Sequence, residues 1–513
     1  MPDCYLALDQ GGHASRALVF DAGGALVTSA SVPIATHRIN PGHIEHDPDE
    51  LVESLRRAID TVSRELPAGR RIHAAGLATQ RSSMVCWNRH TGAALSPVIS
   101  WQDRRNATWL EGLATRAAEI RARTGLVLTP HYGASKMRWC LDHLPAVQEA
   151  RAAGELVMGP LASFLVCRLV EGRPLLADPA NASRTQLWAL ATRDWSPELL
   201  VLFGIDAALL PRAVTSRYAY GNLATPAGPV PLTVVTGDQS AVPFAFGPLD
   251  PVTAYVNVGT GAFAQRPVSG PLPDAPRLLV SVVWSTADHV DYLLEGTVNG
   301  AASALDWLAE REGVPLTALL RLADVALATN ETPPLFINGV SGLGAPFWVS
   351  NLESRFIGAG SRGARVLAVL ESIAFLLQAN LEEMQAHGPA LAGLLVTGGL
   401  SANDYLCGCL SSLSGLPVRR TQDPEATARG LARLVAGDAA SAWPVAHGTS
   451  QPPVLNTELA QRYRLWRREL DQAIDRALRP RRWKVRTGRL HHDRRAFGLP
   501  DGMGPFGHWS PPA

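Results

Sequence analysis

The stretch that decides the fold is Tyr5-Leu6-Ala7-Leu8-Asp9-Gln10-Gly11-Gly12-His13-Ala14-Ser15-Arg16-Ala17-Leu18-Val19-Phe20-Asp21, two apolar runs joined by a glycine-rich turn. This pattern predicts an antiparallel hairpin. A second glycine turn, Ala22-Gly23-Gly24, leads into a third strand at Leu26, so the chain is expected to open as a β-meander. The first strand ends at an acid, Asp9, directly beside the turn.

A helix and a fourth strand follow the meander. Asp47 is a favourable N-cap and Pro48 suits the first helical position. Apolar residues then recur at helical spacing, at Leu51, Leu55 and Ile59. A strand is predicted over 72–77.

The same order of strands and glycine turns returns past the middle of the chain. A strand over 231–236 ends in Gly237-Asp238-Gln239, and a strand over 253–258 ends in Gly259-Thr260-Gly261. This is a weak internal duplication, visible in pattern and not in identity. Two similar halves facing each other would form a cleft, where ligands usually bind.

We place the boundary between the halves at the turn-rich joint near Gly247. The predicted first domain covers 1–247 and the second 248–478, ending in a long helix rich in Arg and Leu. Residues 479–513 form a basic tail, which its composition predicts to be disordered.

Composition excludes several function classes. The chain has 513 residues, too many for one core, and its net charge is +1. No strong field favours nucleic acid or an anionic membrane, so neither is an expected partner. The start lacks a basic signal-peptide region and no uninterrupted apolar stretch of about 18 residues is found, so we expect a cytoplasmic protein. The six cysteines are scattered, which favours buried, reduced thiols over a zinc site.

Four strand ends carry the residues that chemistry would need. Asp9 could hold Mg²⁺ through water while turn N–H groups face phosphate oxygens. Asp238 could act as general base on a hydroxyl in phosphoryl transfer. Gly259-Thr260-Gly261 and Val396-Thr397-Gly398-Gly399 could cradle a nucleotide, or each could be a tight turn only. None of them matches a Walker A loop or a Rossmann fingerprint.

Further segments make the chain similar to a known family. From about Tyr5 to about Arg476 it resembles the FGGY carbohydrate kinases, and among them the glycerol kinases. The segments that carry the resemblance are Ala7-Leu8-Asp9-Gln10-Gly11, Pro41-Gly42-His43-Ile44-Glu45-His46-Asp47-Pro48, Thr79-Gln80-Arg81, Ile99-Ser100-Trp101-Gln102-Asp103-Arg104-Arg105, Ala182-Ser183-Arg184-Thr185, Thr236-Gly237-Asp238-Gln239, Ser341-Gly342-Leu343-Gly344-Ala345-Pro346-Phe347-Trp348 and Gly398-Gly399 with Ala402-Asn403.

The resemblance implies an α/β fold of two actin-like, ribonuclease-H-like ATPase domains that flank a catalytic cleft. It implies ATP and Mg²⁺ as cofactors, Asp238 as catalytic base, and Asp9 as the acid near the metal. The implied substrate contacts are Arg81, Ser82, His131, Asp238 and Gln239. The implied nucleotide contacts are Gly11, Gly12, His13, Ser15, Arg16, Gly259, Thr260, Ala302, Asp306, Gly399 and Asn403. A homodimer or homotetramer is also expected from the family.

Several positions depart from the glycerol kinase pattern. Ser82 stands where that pattern has a glutamate, and His131 where it has a tyrosine. A lost ionised acceptor removes a hydrogen bond worth about 1.5–3 kcal/mol. In the phosphate loop, Gly12-His13-Ala14 replaces residues with two threonine hydroxyls. On the nucleotide side, a glycine has become Ala302 and a glutamine Asp306.

Three functions stay open on the sequence. The first is an active kinase that phosphorylates a small polyol or sugar, with glycerol or another three- to five-carbon polyol or ketose as acceptor. The second is a catalytically impaired relative that binds polyol or nucleotide in a regulatory role. The third is a structural or nucleic-acid-binding protein that uses the basic tail. Retention of Asp9 and Asp238 favours the first.

Overall fold

The protein is described by a computed structural model that covers residues 3–40, 42–421, 425–445 and 448–478. The predicted tail, 479–513, lies outside the described residues. The strands are β1 Asp3–Gln10, β2 Ala14–Asp21, β3 Leu26–Pro33, β4 His37–Asn40, β5 His43–His46, β6 Arg71–Thr79, β7 Met84–Asn88, β8 Val98–Ile99, β9 Leu156–Pro160, β10 Leu176–Ala177, β11 Trp188–Ala189, β12 Asp194–Trp195, β13 Arg212–Ala213, β14 Arg217–Leu223, β15 Val230–Gly237, β16 Thr253–Val258, β17 Ala262–Ser269, β18 Leu279–Ser285, β19 Val290–Val298, β20 Leu335–Ile337, β21 Arg355–Ile357, β22 Gly393–Thr397, β23 Val418–Arg420 and β24 Thr449–Gln451.

Helices cover and connect these strands. The α-helices are α1 Pro48–Glu65, α2 Ala107–Glu111, α3 Ala117–Thr124, α4 Gly133–His143, α5 Pro145–Ala152, α6 Leu161–Leu169, α7 Pro179–Ala182, α8 Pro197–Phe203, α9 Asp238–Ala241, α10 Ala302–Glu312, α11 Leu316–Ala328, α12 Arg362–Gln385, α13 Asp404–Ser414, α14 Ala426–Ala436 and α15 Thr457–Leu478. Short 3-10 helices are Ala114–Arg116, Ala207–Leu209, Val242–Phe246, Gly399–Ala402 and Gly437–Ala442.

The first large sheet has the strand order β14-β15-β6-β1-β2-β3. The predicted meander is confirmed, since β2 pairs antiparallel with both β1 and β3. Strands β1, β6 and β15 run parallel, with Gln10 opposite Thr79 and Thr79 opposite Gly237. Their carboxyl ends therefore meet at one edge of the sheet.

The second large sheet has the order β18-β19-β17-β16-β22-β23-β24. It repeats the arrangement of the first, because β16 and β17 form an antiparallel hairpin while β16, β22 and β23 run parallel. Asn257 lies opposite Thr397, so the glycine turns after β16 and β22 share an edge. The first half of the chain also forms a five-stranded sheet with the order β4-β5-β8-β7-β9.

Two helices show how local signals produce the fold. Helix α1 begins as predicted, because the Asp47 carboxylate accepts hydrogen bonds from the N–H groups of Asp49 and Glu50 at 2.8 and 3.0 Å. Helix α12 is long and apolar enough to cross a membrane, but 89% of its most apolar window is buried inside the protein. It is packed as a core helix beneath the second sheet. All six cysteines are free and buried, as predicted.

Helix α14 joins the two halves. It comes late in the chain, yet it packs against β1 and β6 of the first sheet. A Cβ at Gly76 would lie 2.7 Å from side-chain atoms of Leu431 and Val435, so the glycine permits this close approach. The boundary at 247/248 stays a prediction, and α14 contributes its apolar face to the core on the other side of it.

Candidate active site

Three functional side chains leave the same edge of the first sheet. Asp9 lies at the end of β1, Arg81 follows β6, and Asp238 follows β15. Neighbouring strands in a sheet lie about 4.8 Å apart, so the register brings these residues within a few strand widths. Ligands in open α/β sheets bind outside the carboxyl ends of parallel strands. The site is therefore at this edge.

A buried hydrogen-bond network around Asn181 holds the ends of β6 and β15 together. Asn181 donates to the Thr236 carbonyl at 3.0 Å and accepts from the Thr79 hydroxyl at 3.2 Å. Its backbone N–H donates to the Asp178 carboxylate, which caps helix α7. Burial raises the pKa of Asp178 to about 6, although the bonds from Asn181 lower it. This network fixes the backbone just before Asp238.

Asp238 is half-buried, and its carboxylate accepts a hydrogen bond from the Gln239 N–H at 2.6 Å. Burial raises its pKa, against the opposing effect of the Arg81 guanidinium. A Cβ at Gly237 would lie only 2.5 Å from Arg81 Cγ, so the arginine stem crosses the backbone immediately before the acid. A carboxylate with raised proton affinity at a strand end can accept a proton from a hydroxyl.

Asp9 is almost fully buried, at 5% exposure. Burial, and then the negative charge of Asp238, raise its pKa to about 7, while Arg16 opposes the shift. Arg16 Nη1 lies 3.5 Å from Asp9 Oδ2. The neighbouring carboxylates of Asp9 and Asp238 carry more negative charge than the Arg16 guanidinium offsets, so they fit a bound cation. The described residues contain no group of three or more metal-ligating side chains, so a cation here would keep waters or ligand oxygens.

The Asp9→Asn variant of the ligand-free protein should be more stable than wild type at neutral pH. The folded-state pKa of Asp9 lies above its ordinary value of 3.8, so the stability that this group contributes is lost as pH rises towards 7. We expect the variant's advantage in unfolding free energy to grow by about 2–3 kcal/mol between pH 5 and pH 7 and to change little above. Urea titrations at the two pH values measure this, and an advantage that does not depend on pH would contradict it.

The turn after β1 presents mainly backbone. Gly11 N–H donates to the Ala14 carbonyl at 3.0 Å, and a Cβ at Gly12 would meet nothing within 4 Å. His13 is exposed and Arg16 is half-buried. The Ser15 hydroxyl is different, because it is buried and bonds to Ser54 of α1 at 2.8 Å. Its hydroxyl thus faces the helix and not the turn.

Arg81 makes a contact that the sequence did not predict. Its guanidinium forms two parallel hydrogen bonds with the Glu295 carboxylate of β19, at 2.9 and 3.0 Å. Arg184 lies 3.3 Å from the same carboxylate, and the Ser281 hydroxyl also donates to it. Despite burial, Arg184 and Arg81 lower the pKa of Glu295 to about 2. This cluster ties the strand edge of the first sheet to the second sheet.

The other three predicted substrate contacts, Ser82, His131 and Gln239, lie near this cluster or next to Asp238. Ser82 is buried with φ +66°, and its hydroxyl has no hydrogen-bond partner among the described residues. His131 is half-buried, with its ring against Trp101 and Tyr132. Lys136 Nζ donates to the carbonyls of Ser82 and His131 at 3.0 and 2.6 Å, which brings the two segments together. Gln239 is half-buried next to Asp238.

The predicted nucleotide residues lie at the edge of the second sheet. The Gly259 carbonyl accepts from Ala302 N–H at 3.0 Å, and the exposed Thr260 accepts from Ser303, so helix α10 begins on this turn. Asp306 is exposed on α10. At the neighbouring turn Gly399 is exposed, with open space where a Cβ would stand.

Asn403 follows that second turn and has a structural task. Its side-chain oxygen accepts from Leu406 N–H at 2.8 Å and caps helix α13. The structure thus brings the predicted glycine turns together at one edge, while two of the predicted polar contacts, Asp306 and Asn403, are exposed or engaged in capping.

Comparison with known proteins places this geometry in a family. A family model for the N-terminal domain of the FGGY family of carbohydrate kinases matches residues 4–256, and its C-terminal counterpart matches 254–438. The chain belongs to the FGGY family of carbohydrate kinases. It is 36% identical over 489 residues to a glycerol kinase of Alkalilimnicola ehrlichii, covering 91% of this chain and 98% of the relative. It is 37% identical over 452 residues to a glycerol kinase of Trichlorobacter lovleyi, covering 85% and 90%.

Solved structures show the same fold. The glycerol kinase of Plasmodium falciparum, solved with ADP, superposes with a TM-score of 0.83 over 93% of this chain and 98% of the other, at 22% identity. A xylulose kinase from Rhodospirillum rubrum gives a TM-score of 0.81 over 92% and 99%, at 21% identity. The predicted two-domain α/β FGGY fold is confirmed. The FGGY protein described here is a carbohydrate or polyol kinase, which phosphorylates its acceptor with ATP.

Proposed function

We propose that this FGGY kinase phosphorylates a hydroxyl of a small polyol, as its glycerol kinase relatives are named to do, with Asp238 as the general base. The observation that carries the proposal is the shared edge of β1, β6 and β15, from which Asp9, Arg81 and Asp238 emerge together. Asp238 combines raised proton affinity with a position beside a cationic side chain.

The step requires little covalent help from the protein. The acceptor oxygen forms a bond to the γ-phosphorus of ATP, the bond from that phosphorus to the β,γ-bridging oxygen breaks, and ADP leaves. The hydroxyl proton passes to the Asp238 carboxylate. Arg81, Ser82, His131 and Gln239 are the proposed acceptor contacts and hold the hydroxyl in line.

The nucleotide is proposed to lie between the two sheet edges. Gly11, Gly12, His13 and Arg16 are the proposed contacts on the phosphate side, where the turn offers backbone. The proposed contacts on the adenosine side are Gly259, Thr260, Ala302, Asp306, Gly399 and Asn403. Mg²⁺ bound near Asp9 would neutralise phosphate oxygens. The neighbouring carboxylates of Asp9 and Asp238, whose charges Arg16 and Arg81 offset only in part, fit such a cation. Asp9 would hold the cation through water, and the Arg16 guanidinium lies 3.5 Å from the Asp9 carboxylate.

The proposal is tested by ADP release from MgATP with a panel of neutral three- to six-carbon polyols, polyol acids and ketoses. We expect acceptor-dependent ADP release, at least tenfold weaker in Asp9→Asn because outer-sphere partners of a metal contribute about 10–100-fold. No acceptor-dependent release by the wild type would favour the noncatalytic alternative, which gains no support from relatives that are named as kinases.

A further inference from the structure

The acceptor end of the site contains hydrogen-bond donors that lack acceptors. Ser82 Oγ is buried at 5% residue exposure without a partner among the described residues, and so is Arg184 Nε at 4%. Both residues belong to the region of the Arg81–Glu295 ion pair, because Arg81 directly precedes Ser82 and shares the Glu295 carboxylate with Arg184. Buried polar groups usually have a hydrogen-bond partner, so these two donors are free to bind a ligand.

Basic side chains surround this end of the site. Burial, and then the nearby basic groups of Lys136, Arg184, Arg104 and Arg81, lower the pKa of His131 well below its usual value and keep its ring neutral. The Lys136 amine is fully buried and donates to the backbone carbonyls of Ser82, Ser100 and His131, and burial lowers its pKa well below the usual value. The Arg184 guanidinium carbon also lies 5.3 Å from the centre of the ring of Tyr132, the residue that follows His131 in the chain.

Two carboxylates in this region, those of Glu295 and Asp103, are already engaged. Glu295 is shared by Arg81 and Arg184. Asp103 accepts from Arg105 at 2.9 and 2.7 Å and from the Ile44 N–H at 2.7 Å. The Arg104 guanidinium has no carboxylate partner in the part of the chain that the structure describes, and its side chain is exposed.

Helix α4 adds to the positive field. It begins at Gly133, two residues after His131, and no side chain caps its N-terminus. The N-terminal end of a helix carries a partial positive charge. A neutral polyol offers hydroxyls that need acceptors as well as donors, whereas an anionic oxygen group needs donors alone.

We propose that the acceptor is a polyol carboxylate, whose carboxylate binds the Ser82 hydroxyl and the guanidinium groups of Arg184 and Arg104 while a hydroxyl at its other end reaches Asp238. This inference rests on the proposed function and names its substrate class. A polyol monophosphate shares the same anionic chemistry, so the test includes it as a separate arm.

The experiment compares kcat/KM for matched acceptors in the full chain with MgATP. The pairs are glycerol with glycerate, erythritol with erythronate, and glucitol with gluconate. A separate arm tests glycerol 1-phosphate. We expect at least one acid to exceed its neutral partner by about tenfold or more, because hydrogen bonds to charged groups are stronger than neutral ones. The KM of that acid should rise with salt, and the KM of neutral polyols should not.

Two variants separate binding from folding. Arg104→Gln changes an exposed side chain, and we expect about a tenfold loss in kcat/KM for the acid, mainly through KM, with neutral polyols unaffected. Ser82→Glu places a like charge against the carboxylate and should invert the preference towards the neutral partner.

Each outcome of these measurements supports or contradicts the inference. Preference for an acid that Arg104→Gln weakens supports the inference. Equal or better use of neutral polyols overturns it and leaves the proposed kinase function intact. Preference for the monophosphate overturns the carboxylate assignment. Turnover of none of these acceptors, nor of any ketose, refutes the proposed function and this inference with it.

Discussion

The Asp238→Asn variant is expected to lose about 10²–10⁴-fold in kcat for acceptor phosphorylation, because positioned general bases contribute that much. Asparagine has the shape of aspartate and can still accept the bond that Gln239 N–H donates, but it cannot take a proton from the hydroxyl. The KM of the acceptor should change much less than kcat. Initial rates of ADP release over a range of acceptor concentrations separate the two parameters.

A matched control is available on the surface. Asp324 lies exposed on helix α11, so Asp324→Asn makes the same chemical change away from the site. Its kcat should equal that of wild type. If Asp238→Asn retained wild-type kcat while remaining folded, the assignment of the base would be wrong.

The Glu295→Gln variant is expected to lose about 3–5 kcal/mol of unfolding free energy, because removing one member of a buried ion pair leaves the others uncompensated. Here two buried guanidinium groups, those of Arg81 and Arg184, would lose their carboxylate. Denaturant titrations measure the change. Glu111→Gln, at an exposed glutamate, is the matched control and should stay within about 0.5 kcal/mol of wild type.

The pH dependence of the same variant follows from the pKa of Glu295, which lies at about 2 and so below its ordinary value of 4.5. A depressed carboxylate pKa stabilises the folded state above pH 4.5, and this stabilisation is lost as pH falls towards 2. Wild type should lose stability over that window more steeply than Glu295→Gln. Parallel curves for the two proteins would show that the carboxylate is not held by its arginines.

Much of the fold followed from short-range patterns. The meander, the helix capped by Asp47 and the strand over 253–258 were predicted because apolar runs, glycine turns and caps act within a few residues. The return of α14 to the first sheet was not predicted, because only the packed structure shows that Gly76 makes room for Leu431. Contacts between residues that are far apart in the chain leave no local pattern in the sequence.

The site was predictable to the extent that its residues end strands. Asp9 and Asp238 were found because each follows an apolar run and stands beside glycine. Glu295 was missed, although a lone acid inside the apolar run Tyr292-Leu293-Leu294-Glu295-Gly296 was the available signal. A buried carboxylate needs a buried cation, but the sequence alone could not pair it with Arg81, which lies 214 positions away.

Ser15 shows the converse case. A hydroxyl next to a glycine turn is a reasonable phosphate contact by sequence, yet strand alternation turns this side chain towards α1 and Ser54. The departures at Ser82 and His131 were visible in the sequence. Their consequence depends on Lys136, Arg184 and Arg104, which only the folded chain brings together.

The most direct test is a crystal structure of the kinase with its acceptor and a non-hydrolysable ATP analogue. The account predicts an Asp238 carboxylate oxygen within about 2.6–3.2 Å of one acceptor hydroxyl. That hydroxyl should point at the terminal phosphorus. An acceptor hydroxyl aligned with that phosphorus but held by another group, with Asp238 turned away from it, would contradict the account.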